Sequence, residues 1–406
     1  MHVVFIAPHF PPYQKEFVRA LKSVGAKVTG IGEEHSHHLP QELYQWLDDY
    51  EQVHSVTDDG AVYDAVRRIQ AKSWVDRLEA TIEAHMLTAA RVREACTIPG
   101  LSYQQTLLCR DKTLMKEFMR EHGIPCAASV AAETPEQVIN FAKTVGFPIV
   151  IKPRTGAGAN ATFRVNSAEE LGPALHATGI AQGHTATVEE FIEGHEGFYD
   201  TLTVNGEIRH DFISHYYPNV LEAMRTRWIS PVIIVTNRMD APGYSEVKAM
   251  GHKVVKELGL GTTPTHMEWF FGGKGLKFSE IGVRPPGVSH WDLYCAANDI
   301  DLYKEWADAI VHGQTWGHLS RQYSAAIIAL RPTQDGQIVG YEGIDKMQEK
   351  YGQWVIKAHF PAAGTPTQPV AAGYMANAWV HIKFPDYDGL REILREIGET
   401  IKVIAA

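Results

Sequence analysis

The chain has 406 residues, 45% hydrophobic and 21% charged, which is long for a single core and reads as two or three globular lobes. Its formal net charge of −10 argues against a surface built for nucleic acid or anionic lipid, so small-molecule partners are expected. Cys96, Cys109, Cys126 and Cys295 form no CxxC pair, no stretch nears the ~20 apolar residues of a bilayer span, and the opening MHVVFIAPHFPP lacks the basic region and cleavage site of a signal peptide; reduced thiols, no membrane and a cytoplasmic location are the expectations.

Val3–Pro8 is an apolar run, followed by an amphipathic stretch from Tyr13 to Val24 and a second apolar run over Lys27–Ile31. That order is strand, helix, strand, and predicts a parallel α/β first lobe. The first turn lacks GxGxxG, so a dinucleotide is not indicated there. The acidic and histidine-rich run Glu33–His38 follows no defined metal spacing and reads as loop. Residues 61–95 read as helical, and Asp111 to His122 as a further helix stopped by Gly123 and Pro125.

From Val130 to Phe191 the pattern is strand, helix, strand, loop, strand, helix, strand. Thr134-Pro-Glu opens the first of these helices, with proline at the first helical position. Ser167-Ala-Glu-Glu170 has the form of a capping box for the second. Beyond Phe198 the chain reads as β-rich to Asn237, helical over Tyr244–Leu258, and β again to Ile281. The expected lobes are 1–105, 106–190, 191–315 and a small α+β cap over 316–406.

The segment FPIVIKPRTGAGANATFRV, 147–165, carries the most chemistry. An apolar strand delivers Lys152, and Gly156 and Gly158 then form a loop whose backbone N–H groups can approach phosphate oxygens. Taken literally, residues 156–161 satisfy a dinucleotide fingerprint, but that fingerprint needs a helix next. The alternating Thr162–Asn166 follows instead, so the loop joins two strands as a flap over a triphosphate would. A plain glycine hairpin with a surface lysine is the alternative for this segment alone.

Around it stand Arg110-Asp111-Lys112 upstream, VEEFIEGHE at 188–196 downstream, and then Glu268 in THMEWFF and Glu280 in FSEIGVRPPG. Two lysines, a glycine flap, an acidic hinge and two late glutamates suit ATP-dependent phosphorylation of a carboxylate. Lysines neutralise phosphates, and glutamates bridge Mg²⁺ between phosphates and substrate. No GxSxG and no GxxxxGK[ST] occurs, which removes the main support for hydrolase and P-loop readings.

With these motifs in that order, the chain resembles the ATP-grasp superfamily over roughly its whole length, most specifically over 105–290. The likeness is to the carboxylate–amine ligases that join amino acids, with some likeness to the purine-pathway and biotin carboxylase branches. The resemblance implies an ATP-grasp fold, α/β and α+β, with a parallel N-terminal domain, a flap-bearing central lobe and a C-terminal lobe. It implies ATP and Mg²⁺ as cofactors, with Mn²⁺ able to substitute, an acyl phosphate intermediate, a small-molecule carboxylate and amine as substrates, and it allows a homodimer. Lys112 and Lys152 resemble the phosphate-binding lysines. Glu189 and Glu190, with the backbone around Phe191 and Ile192, resemble the adenine hinge, and Glu196 the ribose-binding acid. Glu268 and Glu280 resemble the metal-bridging pair, and Arg284 the arginine that steadies the transferring phosphoryl group. One departure stands out: many members carry Asn two residues after the second glutamate, where this chain has Gly282.

For the second substrate, His266 would share a strand face with Glu268, a satisfied core histidine being the alternative. Arg225 and Arg227 would point to one side of a strand and hold a carboxylate, or else form a solvated pair. His290, in Ser289-His290-Trp291, would join the acceptor pocket, or the run would only cap the next helix. Gly272-Gly-Lys-Gly275 reads as a hairpin turn between the glutamate-bearing strands. A carboxylating or purine-pathway enzyme, and a nucleotide-binding module without catalysis, are the other readings.

Overall fold

The computed structural model describes residues 1–154, 162–224, 226–370 and 377–406. Gly156, Gly158 and Arg225 lie outside the described residues.

The N-terminal region is a parallel sheet in the order Asp49–Gln52, Lys27–Gly32, His2–Ile6, Arg77–Glu79. Its central strand is buried throughout, as a parallel strand covered on both faces must be. Val3 and Phe5 face Phe17 and Trp306, whereas Val4 and Ile6 face Val62, Val66 and Ala89. The stretch read as helical over 61–95 is two helices, Asp59–Lys72 and Met86–Ala95, with the strand Arg77–Glu79 between them. That strand is three residues long with Leu78 alone buried, too short to show a period of two.

A second sheet, all antiparallel, runs Ser129–Ala132, Ala186–Glu190, Ile149–Pro153, Phe163–Val165. Ile149 pairs with Val165, so the strands Ile149–Pro153 and Phe163–Val165 are antiparallel neighbours. Thr134 caps its helix, Pro135–Val145, with a complete capping box to Gln137. Ser167 makes no such cap. The turn after it, Ala168–Glu170, is 3₁₀, and Glu170 reaches back to the Asn166 amide at 2.8 Å, so the carboxylate serves the preceding residue.

The third sheet has eight antiparallel strands, with Gly275–Gly282, Thr263–Gly272, His195–Val204 and Glu207–Tyr217 at one end. It continues through Val232–Val235 into Ser324–Leu330, Ala378–Phe384 and Val355–His359, so the tail adds strands to the sheet that carries the glutamates. Residues 226–231 are turn and coil, so Arg227 lies in no strand. No helix among the described residues is long and apolar enough to cross a membrane.

Candidate active site

The helix Lys112–Glu121 starts at Asp111, whose Oδ1 accepts the amides of Thr113 and Leu114 at 3.0 and 3.1 Å. The other oxygen of Asp111 pairs with Arg154 Nη2 at 2.7 Å, and the Lys112 amide donates to the Arg154 carbonyl at 3.0 Å. The end of the Lys152 strand is thereby tied to the start of the helix that presents Lys112. Lys112 and Lys116 are four residues apart and share a helix face. Lys112 Nζ lies 3.1 Å from Glu280 Oε2, while Lys116 and Lys152 both reach Glu189 Oε2, at 2.6 and 3.0 Å. Lys116 has 2% of its side chain exposed, and an ammonium so buried requires its carboxylate partner.

Strand pairing explains this convergence. Val150 stands opposite Glu189 and Lys152 opposite Thr187, so these four share one face, on which Val150, Lys152 and Glu189 line the cleft, whereas Ile149, Ile151, Ala186 and Val188 fill the core behind. On the other wall Glu268 stands opposite Glu280, and the ladder slips between Glu268 and Trp269, placing an extra residue, Ser279, on the partner strand. Such a bulge re-aims the side chains beside it. His266, opposite Gly282, shares the face of Glu268.

Between the walls lies a cavity of about 430 Å³, with Lys112, Lys116, Lys152, Glu268 and Glu280 on its charged side and Val150, Phe191, Ile192, Leu221 and Phe270 among its apolar lining. Arg164 stacks over Phe191, 4.1 Å from the ring centre. Of the expected hinge, Glu189 is committed to the two lysines and Glu190 to Lys274 and the Ala128 amide, so both carboxylates already have partners. The Phe191 N–H is spent on the Pro148 carbonyl at 3.3 Å. Glu196 accepts the Val220 amide at 2.7 Å. Burial, and then the charge of Glu268, raise its pKa to about 8. Burial alone would push Glu280 up, but Lys112 and Lys152 outweigh it and bring its pKa to about 2. The two lysines thus favour the charged form of Glu280, whereas burial and Glu268 disfavour it for Glu196.

Around Glu268 the contacts run deeper. Tyr216 donates to it at 3.3 Å, and His266 Nε2 lies 3.6 Å away. The other ring nitrogen of His266 is 2.8 Å from Asp200, which also accepts from Tyr294 at 2.6 Å. Burial opposes the charged imidazole, yet Asp200 and Glu268 together raise its pKa to about 9. Arg284 ion-pairs with Glu83, and so does Arg110.

Two of the expected substrate contacts are placed elsewhere. Arg227 pairs with Asp335 at 2.6 Å and is not among the cavity-lining residues. His290 is 1% exposed, bonded to Ser214 Oγ at 3.0 Å, and Phe198 lies edge-on to both His290 and His266, at 5.0 and 4.8 Å. It belongs to the core behind the site, and Ser289 makes no side-chain cap for its helix. Among the described residues no group of three or more His, Cys, Asp and Glu side chains could hold a metal, the Glu33–His38 run included. The sequence reading missed Lys116, Glu83 and Asp200. Lys116 was recoverable from its four-residue spacing to Lys112 on a helix; Glu83, in the turn Glu83–His85, and Asp200, inside the strand His195–Val204, carry no local signal.

A family model described as an ATP-grasp domain matches residues 117–299. The L-arginine-specific L-amino acid ligase of Bacillus subtilis is 27% identical over 248 residues, 60% of this chain and 59% of that protein. The chain thus spans about three fifths of the length of the curated relatives it matches. Among solved structures, an L-amino acid ligase from Bacillus licheniformis superposes with a TM-score of 0.78 at 19% identity, covering 100% of this chain and 98% of that one. An N5-carboxyaminoimidazole ribonucleotide synthetase from Thermotoga maritima gives 0.71 at 18%, covering 100% and 99%. Residues 117–299 thus match an ATP-grasp domain, and the chain shares its fold over its whole length with these solved structures.

Proposed function

We propose that the chain is an ATP- and Mg²⁺-dependent carboxylate–amine ligase that forms an amide or peptide bond through an acyl phosphate. The observation that carries this reading is the meeting of Lys112, Lys116 and Lys152 with Glu268 and Glu280 around one cavity that also has an apolar side. A triphosphate needs the first group, and a purine ring needs the apolar lining. Two carboxylates on facing strands offer the hard oxygen donors that Mg²⁺ or Mn²⁺ prefers, with phosphate oxygens completing the shell. A metal held there would reduce the repulsion between the phosphates and an incoming carboxylate.

In the reaction, a substrate carboxylate oxygen bonds to the γ-phosphorus as the bridge to the β-phosphate breaks and ADP leaves. A neutral amine then attacks the acyl carbon, phosphate departs with the C–O electron pair, and the amine proton passes to water. Lys112 and Lys152 hold phosphate oxygens, Arg284 faces the transferring group, and Glu196 takes the ribose. His266, kept cationic by Asp200, supplies positive charge beside Glu268 on the substrate side. The relatives named as L-amino acid ligases support amino acids as the substrate class.

The test is ADP release across pairs of free amino acids, set against bicarbonate with aminoimidazole ribotide. Turnover with amino-acid pairs supports the ligase. Turnover with bicarbonate alone moves the chain to the carboxylating branch, and Mg·ATP binding with no turnover on any carboxylate makes it a binding module.

A further inference from the structure

Glu83 comes from the N-terminal lobe, in the turn Glu83–His85 that follows the sheet strand Arg77–Glu79. One of its oxygens pairs with Arg110 Nη1 and the other with Arg284 Nε, and all three side chains are partly buried, 12 to 16% exposed. Arg110 precedes the lysine helix and Arg284 follows the second glutamate strand, so one carboxylate joins three separate parts of the chain. Burial alone would favour its neutral form, but the two guanidiniums keep it ionised below the usual carboxylate range. One negative charge against two positive ones leaves the unit with a surplus of one cation. Arg110 Nε is buried with no hydrogen-bond partner among the described residues.

Gly282 belongs to the same arrangement. A Cβ built on it would stand 3.3 Å from Glu83 Oε2 and 3.6 Å from Arg284 Cγ and Nε. Its backbone is ordinary, so its need for glycine is one of space. Any side chain at 282, the more usual Asn included, would press on the Glu83 carboxylate.

We propose that Glu83 is a positioning residue which binds Arg110 and Arg284 into one anion-holding unit beside the glutamate pair, and that Gly282 is glycine because that carboxylate occupies its side-chain space. The inference rests on the ligase reading and names how its arginine is aimed. With one guanidinium on each of its oxygens, the Glu83 carboxylate fixes the relative orientation of Arg110 and Arg284. The anion the unit takes is the phosphoryl group in transfer, or the carboxylate that receives it.

The test is calorimetry on the full chain with Mg·ADP alone and with Mg·ADP plus aluminium fluoride, whose tetrafluoroaluminate anion mimics a phosphoryl group in transfer. In the unmodified protein the fluoride should tighten nucleotide binding by at least ~10-fold. Glu83→Gln should bind Mg·ADP alone within about 2-fold of the unmodified protein but lose most of that gain, since Glu83 does not line the nucleotide cavity. Gly282→Ala, which alters no charge, should lose it too, and decides the matter if Glu83→Gln fails to fold. An unmodified protein that binds Mg·ADP without any fluoride gain, or variants that keep the full gain, would overturn the proposal and leave Glu83 as a brace between lobes. Failure of the unmodified protein to bind Mg·ADP would instead overturn the ligase reading, and this inference with it.

Discussion

Lys112 and Lys116 stand one helical turn apart, yet their ammonium groups end on different acids, Glu280 at 3.1 Å and Glu189 at 2.6 Å. The helix therefore spans from the glutamate wall of the cleft to the hinge wall. With Arg284 on Glu83, the major cations of the site are each matched by a protein carboxylate. Only Glu280 among those acids is assigned to metal. Glu189 and Glu83 are left as counter-charges that hold cations in place before an anion arrives, which lowers the reorganisation needed on binding.

Lys116→Met should therefore weaken nucleotide binding although no motif marks it. Loss of one charge-assisted contact to a phosphate is worth about 1.5–3 kcal/mol, or roughly 10- to 100-fold in affinity. Lys152→Ala should do at least as much. Calorimetry with Mg·ADP reads both, and unchanged affinity in Lys152→Ala would mean that the flap strand does not face phosphate.

Glu280→Gln should reduce ADP formation by at least ~100-fold while leaving the fold intact. The amide keeps the shape opposite Glu268 but removes the charge that Lys112 and Lys152 face. Far-UV circular dichroism close to that of the unmodified protein, together with lost turnover in the presence of Mg²⁺, is the expected pair of results. Near-normal turnover would remove the metal assignment.

What could be read from the sequence divides along a physical line. Lys152, Glu268 and Glu280 sit on strands with apolar alternation around them, and the Gly272–Gly275 turn joins the last two as a two-residue hairpin, so local pattern was enough. The strand Arg77–Glu79 was missed because an edge strand of three residues buries one side chain. Arg227 was misread because a strand was extended through residues that form a turn and an ion pair with Asp335, over a hundred positions away. Glu83 is the clearest limit: its partners lie 27 and 201 positions along the chain, and nothing in the local sequence announces a carboxylate that serves distant arginines.

Gly251 separates helix propensity from packing. It lies inside the helix Ser245–Glu257, where Ala would ordinarily be favoured by about 1 kcal/mol. A Cβ there would stand 2.3 Å from Cδ1 and Cε1 of Tyr199, a fully buried ring. Overpacking of this kind costs about 1–3 kcal/mol, more than the propensity gain at its upper end. Gly251→Ala should thus lower the urea midpoint, and a higher midpoint would show that the Tyr199 ring can move aside.

His381 sets the expected response to acid. It is 1% exposed, packs against Trp379 with ring centres 4.5 Å apart, and neither ring nitrogen has a hydrogen-bond partner among the described residues. Burial, and then the charge of Lys357, lower its pKa to about 3. In the unfolded chain a histidine titrates near 6.5. Between those two values the unfolded state binds the extra proton, so this group's contribution to stability falls as pH drops below about 6.5, by up to about 1.4 kcal/mol per pH unit. His381→Leu removes both the proton uptake and two unsatisfied buried nitrogens while keeping an apolar side chain in place. Comparing the two proteins cancels the other titrating groups. The variant should be the more stable by urea unfolding at pH 7, with the difference widening at pH 5; a difference that stays constant with pH would mean that His381 is not held neutral in the fold.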